Sequence, residues 1–317
     1  MASVIFAPSS LYGARQAPGA TALIKNGLRL FTTPSFAGQR RREAHLGHHL
    51  CCFSYQSGTT RSIASNLQKV KIERNGDEKI EFDVYVVGEK GAPGIVVVQE
   101  WWGVDYEIKK HAINIASKGY RALIPEYDTS ESKTDIDMGQ FISGKAGTGS
   151  GRGTTLEGLD WPGAVADIAA SAKWLKDQGS SKVGVTGFCM GGGLTIASAV
   201  RVPGIDAVVA FYGTPPPQLA DPVEAKVPVQ AHFGENDTLK GLSDKETAKA
   251  LEEKLKKANV PSEVYLYPNV GHAFMNSSPE AIERKKATGF GEHHQEAVDL
   301  AWSRFDLWFK KYLQVGN

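Results

Sequence analysis

The chain has 317 residues, 41% of them hydrophobic, enough for one large domain with appendages and a core that needs no disulfide or metal staple. Its net charge of +1 is uneven: residues 1–61 hold a surplus of six positive charges, which leaves the remainder at about −5 and argues against nucleic acid or an anionic membrane as partner. No apolar run approaches the roughly 18 residues that cross a bilayer.

Residues 1–61 are rich in Ser, Thr, Ala and Arg, carry Glu43 as their one acid, and lack the continuous apolar stretch of a secretory signal. That composition reads as an organelle transit peptide, with the chloroplast favoured and the mitochondrion, then the cytoplasm, as alternatives. His45, His48 and His49 lie in this removable segment and are not read as a metal site. Cys51 and Cys52 lie there too, so Cys189 is the one thiol of the 62–317 domain. No internal disulfide can form in that domain, as suits a reducing compartment.

From residue 69 the pattern alternates between strand and helix. Strands are expected at 70–74 and 80–87 around the hairpin signal Asn75-Gly76-Asp77, then at 95–98, an all-apolar run suited to burial on both faces. A helix follows at 106–118, ended by Gly119, and a strand at 121–124. Residues 128–157 are polar and glycine-rich, and read as a lid-like insertion. Their glycines lack the Gly-Lys-Ser/Thr ending of a phosphate loop. Beyond it come a helix (161–177), strand (182–186), helix (190–199), strand (205–211), strand (227–233), helix (243–258), strand (262–267) and a long helix (289–312). This order predicts a mostly parallel sheet with helices on both faces and an N-terminal antiparallel hairpin.

The 182–186 strand runs into Gly187-Phe188-Cys189-Met190-Gly191-Gly192-Gly193 and then a helix. Glycines two before and two after a central residue are what a nucleophile elbow requires, because the bend is tight enough to exclude a Cβ at either place. The central residue here is Cys189, set at a helix N-terminus whose dipole favours a thiolate. A buried structural cysteine is the bland alternative, and the residues downstream argue against it. In this fold class the order is nucleophile, acid, histidine. Asp237 follows the 227–233 strand, and His272 follows the 262–267 strand in Gly271-His272-Ala273-Phe274. Both fall at carboxyl ends of strands, where open α/β sheets bind ligands. Asp206 and Asp221 are weaker choices for the acid; His111 and His232 read as structural, and His293 and His294 stay unassigned. The backbone amides of Met190 and Trp101 are the expected oxyanion donors, with Trp102, Tyr212 and Phe188 around the substrate. Glu100, beside that oxyanion hole, is unexpected there.

Taken together, Gln99-Glu100-Trp101-Trp102-Gly103, Trp161-Pro162-Gly163, the Cys189 elbow, Phe233-Gly234-Glu235-Asn236-Asp237 and Gly271-His272-Ala273-Phe274 resemble the dienelactone hydrolases (carboxymethylenebutenolidases) of the α/β-hydrolase superfamily, over roughly 72–313. The resemblance implies a Cys189–His272–Asp237 triad and assigns Glu100 a role: it contacts the resting thiol and is displaced by substrate to help form the thiolate. It also implies arginines that grip a substrate carboxylate, and here the chain departs. The 127–131 loop is acidic without arginine, and the place four residues past the histidine holds Asn276. The expectation is therefore a thiol-dependent hydrolase of small, neutral esters or lactones, monomeric or a small homo-oligomer, with no metal or organic cofactor. Two alternatives are a non-catalytic lactone-binding or sensor protein and a glycan hydrolase. The latter needs two carboxylates and would leave Cys189 and His272 idle.

Overall fold

The computed structural model describes residues 67–74, 80–127 and 160–314. The expected 1–61 leader, the Asn75-Gly76-Asp77 hairpin signal and the expected 128–157 insertion lie outside them. Eight strands form one sheet in the order β1 (Gln68–Arg74), β2 (Ile80–Val87), β4 (Arg121–Pro125), β3 (Gly94–Val98), β5 (Val183–Phe188), β6 (Ala207–Phe211), β7 (Val229–Gly234), β8 (Ser262–Tyr267). β1 and β2 pair antiparallel, as do β2 and β4; every other pairing is parallel. The expected hairpin and parallel sheet are thus present.

The all-apolar run at β3 has the cause inferred from it. β3, β5, β6 and β7 are buried along their whole length because helices cover both faces. On one face, α2 (Trp161–Asp177), α3 (Met190–Arg201) and α4 (Lys245–Ala258) contribute Ile168, Leu194, Leu251 and Leu255 to a core with Val96, Val98 and Val185. On the other, α1 (Tyr106–Ser117) and α6 (Gln295–Leu313) lay Ile108, Ile115, Val298, Phe305 and Phe309 against Ile95, Val97 and Val209. Large side chains fully withdrawn from water contribute about 1.5–3 kcal/mol each, so these two layers dominate the stability. Among the described residues no helix is long and apolar enough to cross a membrane.

One element departs from the expectation. The helix foreseen at 289–312 starts only at Gln295 (α6), and a further helix that was not foreseen, α5 (Pro279–Ala287), precedes it. Gly289 and Gly291 both take positive φ (72° and 90°) and break the chain between them. α5 is capped by Ser278, whose hydroxyl accepts from the Ala281 amide, with Pro279 at its first position.

The sheet brings the carboxyl ends of β3, β5, β6, β7 and β8 to one edge. β5 ends at Phe188, Cys189 has φ 55° and ψ −116°, and α3 begins at Met190. The bend works only without neighbouring side chains: a Cβ at Gly187 would collide with the backbone oxygen of Gly191, and a Cβ at Gly191 with those of Val98 and Gln99. Gly187→Ala is therefore expected to cost about 3 kcal/mol or more of unfolding free energy, read from urea or thermal denaturation. An unshifted midpoint would mean that the elbow is not tight.

Candidate active site

Three segments meet at that edge. The turn after β7 carries Asp237, whose Oδ1 accepts from the Leu239 amide at 3.0 Å. Its Oδ2 lies 2.7 Å from Nδ1 of His272, with both side chains buried. The Ser243 hydroxyl is a further neighbour of Nδ1, at 3.1 Å, which the sequence reading did not foresee. Cys189 lines the same cleft as the imidazole and interacts with it electrostatically. Tyr212 and Phe290 stand edge-on to the ring at 5.1 and 4.9 Å between centroids and fix its plane. Burial on its own lowers the basicity of His272; the charges of Asp237 and then Cys189 outweigh it, leaving its pKa well above the usual 6.5.

Strain collects at these same residues. Of the five non-glycine residues with positive φ among the described residues, three are Cys189, Tyr212 (37°) and Ala273 (54°), the last directly after His272. Such backbone costs of order 1–3 kcal/mol per residue and persists where surroundings over-determine it. The other two, Asn259 and Asn269, are asparagines, which tolerate this region.

Glu100 closes the far side of the site. It is buried in a turn closed by the Gly103 amide donating to its carbonyl oxygen at 3.2 Å. The Tyr212 hydroxyl donates to Oε1 and the Asn276 amide to Oε2, both at 2.9 Å. The resemblance placed this carboxylate on the resting thiol; here both of its oxygens are engaged elsewhere. Burial raises its pKa, while the Asn276 and Tyr212 hydrogen bonds partly offset that. Tyr212 in turn is held neutral, its pKa raised by burial and then by the charge of Glu100. Tyr212→Phe would leave a buried carboxylate short of one donor, and is expected to lower stability by about 1.5–3 kcal/mol in urea denaturation at neutral pH. Unchanged stability would show that the hydroxyl and carboxylate do not interact.

The cleft above the nucleophile is narrow, with about 20 Å³ of space open to a water-sized group. Cys189, His272, Glu100, Trp101 and Trp102 line it, as expected of all five. Phe188 and Tyr212 do not: both are fully buried. Phe188 stacks between His111 (4.4 Å) and Phe211 (4.8 Å), because neighbours along a strand point to opposite faces and the residue before the nucleophile turns into the core. Tyr212 holds Glu100 rather than facing substrate. Met190 is buried at the first turn of α3.

The remaining candidates lie elsewhere. Asp206 pairs with Lys182 (2.7 Å) and Asp221 with Lys254 (3.1 Å). His232 is bonded within the sheet to Tyr267 and Gln230, His293 contacts Gln295, and His294 precedes α6 as its cap. His111 is buried in the core, as a structural residue. Among the described residues no group of His, Cys, Asp and Glu has the arrangement of a metal site.

The two positions at which the resemblance implies arginine lack it, but the cleft still holds cations. α5, the helix the sequence reading missed, brings Arg284 and Lys285 to its wall. The signal was present: Ser278-Pro279 is a cap followed by a first-turn proline. Its masking by a highly charged helix with only Ala281 and Lys285 buried explains why apolar periodicity did not show it. Arg284 is committed to Asp105 (3.2 Å) and to the face of Trp102 (4.5 Å).

A second, wider groove, lined by Trp161, Thr214, Leu219 and Leu242, carries none of these groups.

Comparison with known proteins agrees with this geometry. The dienelactone hydrolase family model matches residues 82–313. "Protein usf" of Aquifex pyrophilus is 29% identical over 255 residues, 78% of this chain and 99% of its own. A "Putative carboxymethylenebutenolidase" of Escherichia coli is 28% identical over 233 residues, 69% and 77% of the two chains. The crystal structure of a dienelactone hydrolase-like promiscuous phosphotriesterase from metagenomic libraries covers 78% of this chain and 99% of its own, at 20% identity and a TM-score of 0.58; that similarity is one of fold. The chain belongs to the dienelactone hydrolase family.

Proposed function

We propose that this protein hydrolyses small carboxylic esters or lactones through an acyl-cysteine intermediate. The observation that carries the reading is His272, held at 2.7 Å by the buried Asp237 and lining one cleft with Cys189, whose charge acts on the imidazole. In the first step the Cys189 thiolate attacks the carbonyl carbon, and the carbonyl electrons move to its oxygen. The backbone amides of Trp101 and Met190 receive that oxyanion; one such donor is worth about 3–4 kcal/mol of barrier. Collapse breaks the C–O bond, and His272 gives its proton to the departing alkoxide. In a lactone that alkoxide stays tethered to the acyl group. Water then attacks the thioester with His272 as base, releasing the acid and restoring the thiolate. Asp237 keeps the imidazole oriented and offsets its charge throughout. Glu100, held by Tyr212 and Asn276, lines the same cleft as the sulfur.

The test is turnover by the purified full chain on p-nitrophenyl acetate and a panel of uncharged esters and lactones. Saturable hydrolysis supports the reading. No turnover, with a stable adduct on Cys189, would instead favour a lactone-binding protein on the same fold. As a further part of the proposal, the composition of 1–61 assigns the chain to the chloroplast, and uptake with cleavage by isolated chloroplasts tests it.

A further inference from the structure

Lys285 is the unexplained group in this cleft. It is 2% exposed, lines the same cavity as Cys189 and His272, and its Nζ has no hydrogen-bond partner among the described residues. The acids near it are already committed: Glu100 to Tyr212 and Asn276, and Glu107 to the backbone amides of Ser277 and Ser278 at 3.2 and 2.7 Å. Glu292 pairs with Lys286. The neighbouring cation, Arg284, is satisfied by Asp105 and Trp102. An ammonium withdrawn from water with no acceptor is costly, and an anion entering the cavity would offset that cost.

The proposed reaction creates such an anion at every turnover, because cleavage of any ester or lactone leaves a carboxylate beside Cys189. We propose that Lys285 makes the catalytic cleft a carboxylate-binding site, which retains the acid product and so makes the enzyme subject to product inhibition. The inference rests on the hydrolase reading for its biological meaning, but the binding site stands on Lys285 alone. Burial lowers the pKa of Lys285 to about 8, with Glu100, Glu107 and Glu292 opposing the shift, so the site is charged at neutral pH and loses its charge above about 8. The other titrating groups facing it are His272 and Cys189 across the cleft, with Arg284 and Asp105 on its flank.

Binding is measured on the full chain carrying Cys189→Ala, so that no covalent chemistry intervenes. Benzoate and its neutral counterpart benzamide are titrated at pH 7 and pH 9.5, by calorimetry or by the fluorescence of Trp101 and Trp102. Benzoate is expected to bind at least tenfold more tightly than benzamide at pH 7, with most of that preference lost at pH 9.5. A second protein with Lys285→Met added, confirmed as folded by circular dichroism, is expected to bind the two equally. With the thiol intact, benzoate should inhibit ester hydrolysis competitively and benzamide should not. Equal binding of the two ligands at pH 7, or a benzoate preference that survives Lys285→Met, would overturn the proposal. Absence of ester turnover with the binding preference intact would count against the hydrolase reading and leave this site standing.

Discussion

Replacing Cys189 with alanine is expected to lower kcat/KM for p-nitrophenyl acetate by at least about 10⁴-fold while the protein stays folded. Removal of a nucleophile from a triad costs about 10⁴–10⁶ in kcat, the residue of catalysis coming from binding and the oxyanion donors. The fold should tolerate the change, because alanine keeps the Cβ that already occupies the strained φ of 55° and only the sulfur is lost. Cys189→Ser is the sharper variant. Its hydroxyl is nearly isosteric but far less acidic than a thiol. The surroundings, with His272 biased toward its charged form, suit an anion on sulfur rather than proton abstraction from a hydroxyl. Serine should therefore recover little of the lost rate. Activity retained in the alanine variant would remove the mechanism altogether.

The second large effect is expected at Asp237. Asp237→Asn keeps the size and the Leu239 contact but removes the charge that does most to raise His272. An asparagine amide facing Nδ1 also favours the wrong tautomer, a change that costs about 10⁴-fold in kcat where it has been made in a serine triad. The pH profile supplies a sign that a merely structural role would not. A histidine whose pKa is raised holds its proton above pH 6.5, so the alkaline limb of kcat/KM in the native protein should lie well above 6.5. In Asp237→Asn that limb should move down in pH, because burial, which lowers the pKa, is then opposed by Cys189 alone among the larger influences. A limb that stays in place would dissociate Asp237 from His272.

The parts of this architecture that were legible in sequence are those written in local pattern. The elbow is a strand, a bend and a helix within about twenty residues, and its glycines are dictated by backbone oxygens of Gly191, Val98 and Gln99. Chain order, nucleophile then acid then histidine, located Asp237 and His272 at strand ends without any coordinates. What stayed hidden is tertiary. Nothing near Glu100 in the chain announces that Tyr212 and Asn276, more than a hundred residues away, would hold its two oxygens. Phe188, expected around the substrate, is turned by the alternation of a strand into the core beneath His111. Missing α5 carried the largest functional consequence, since the cleft's cations come from it. Its inner face is mostly Ala281 and the stem of a lysine, which a search for apolar stripes does not register.

The most direct measurement is acid quench of the native protein within the first turnover of an activated ester such as p-nitrophenyl acetate, followed by mass spectrometry of the peptide that carries residue 189. The account predicts a transient acetyl group on the Cys189 sulfur that decays at the rate of turnover. Turnover with no acyl group on that peptide, or with the acyl group on another side chain, would contradict it.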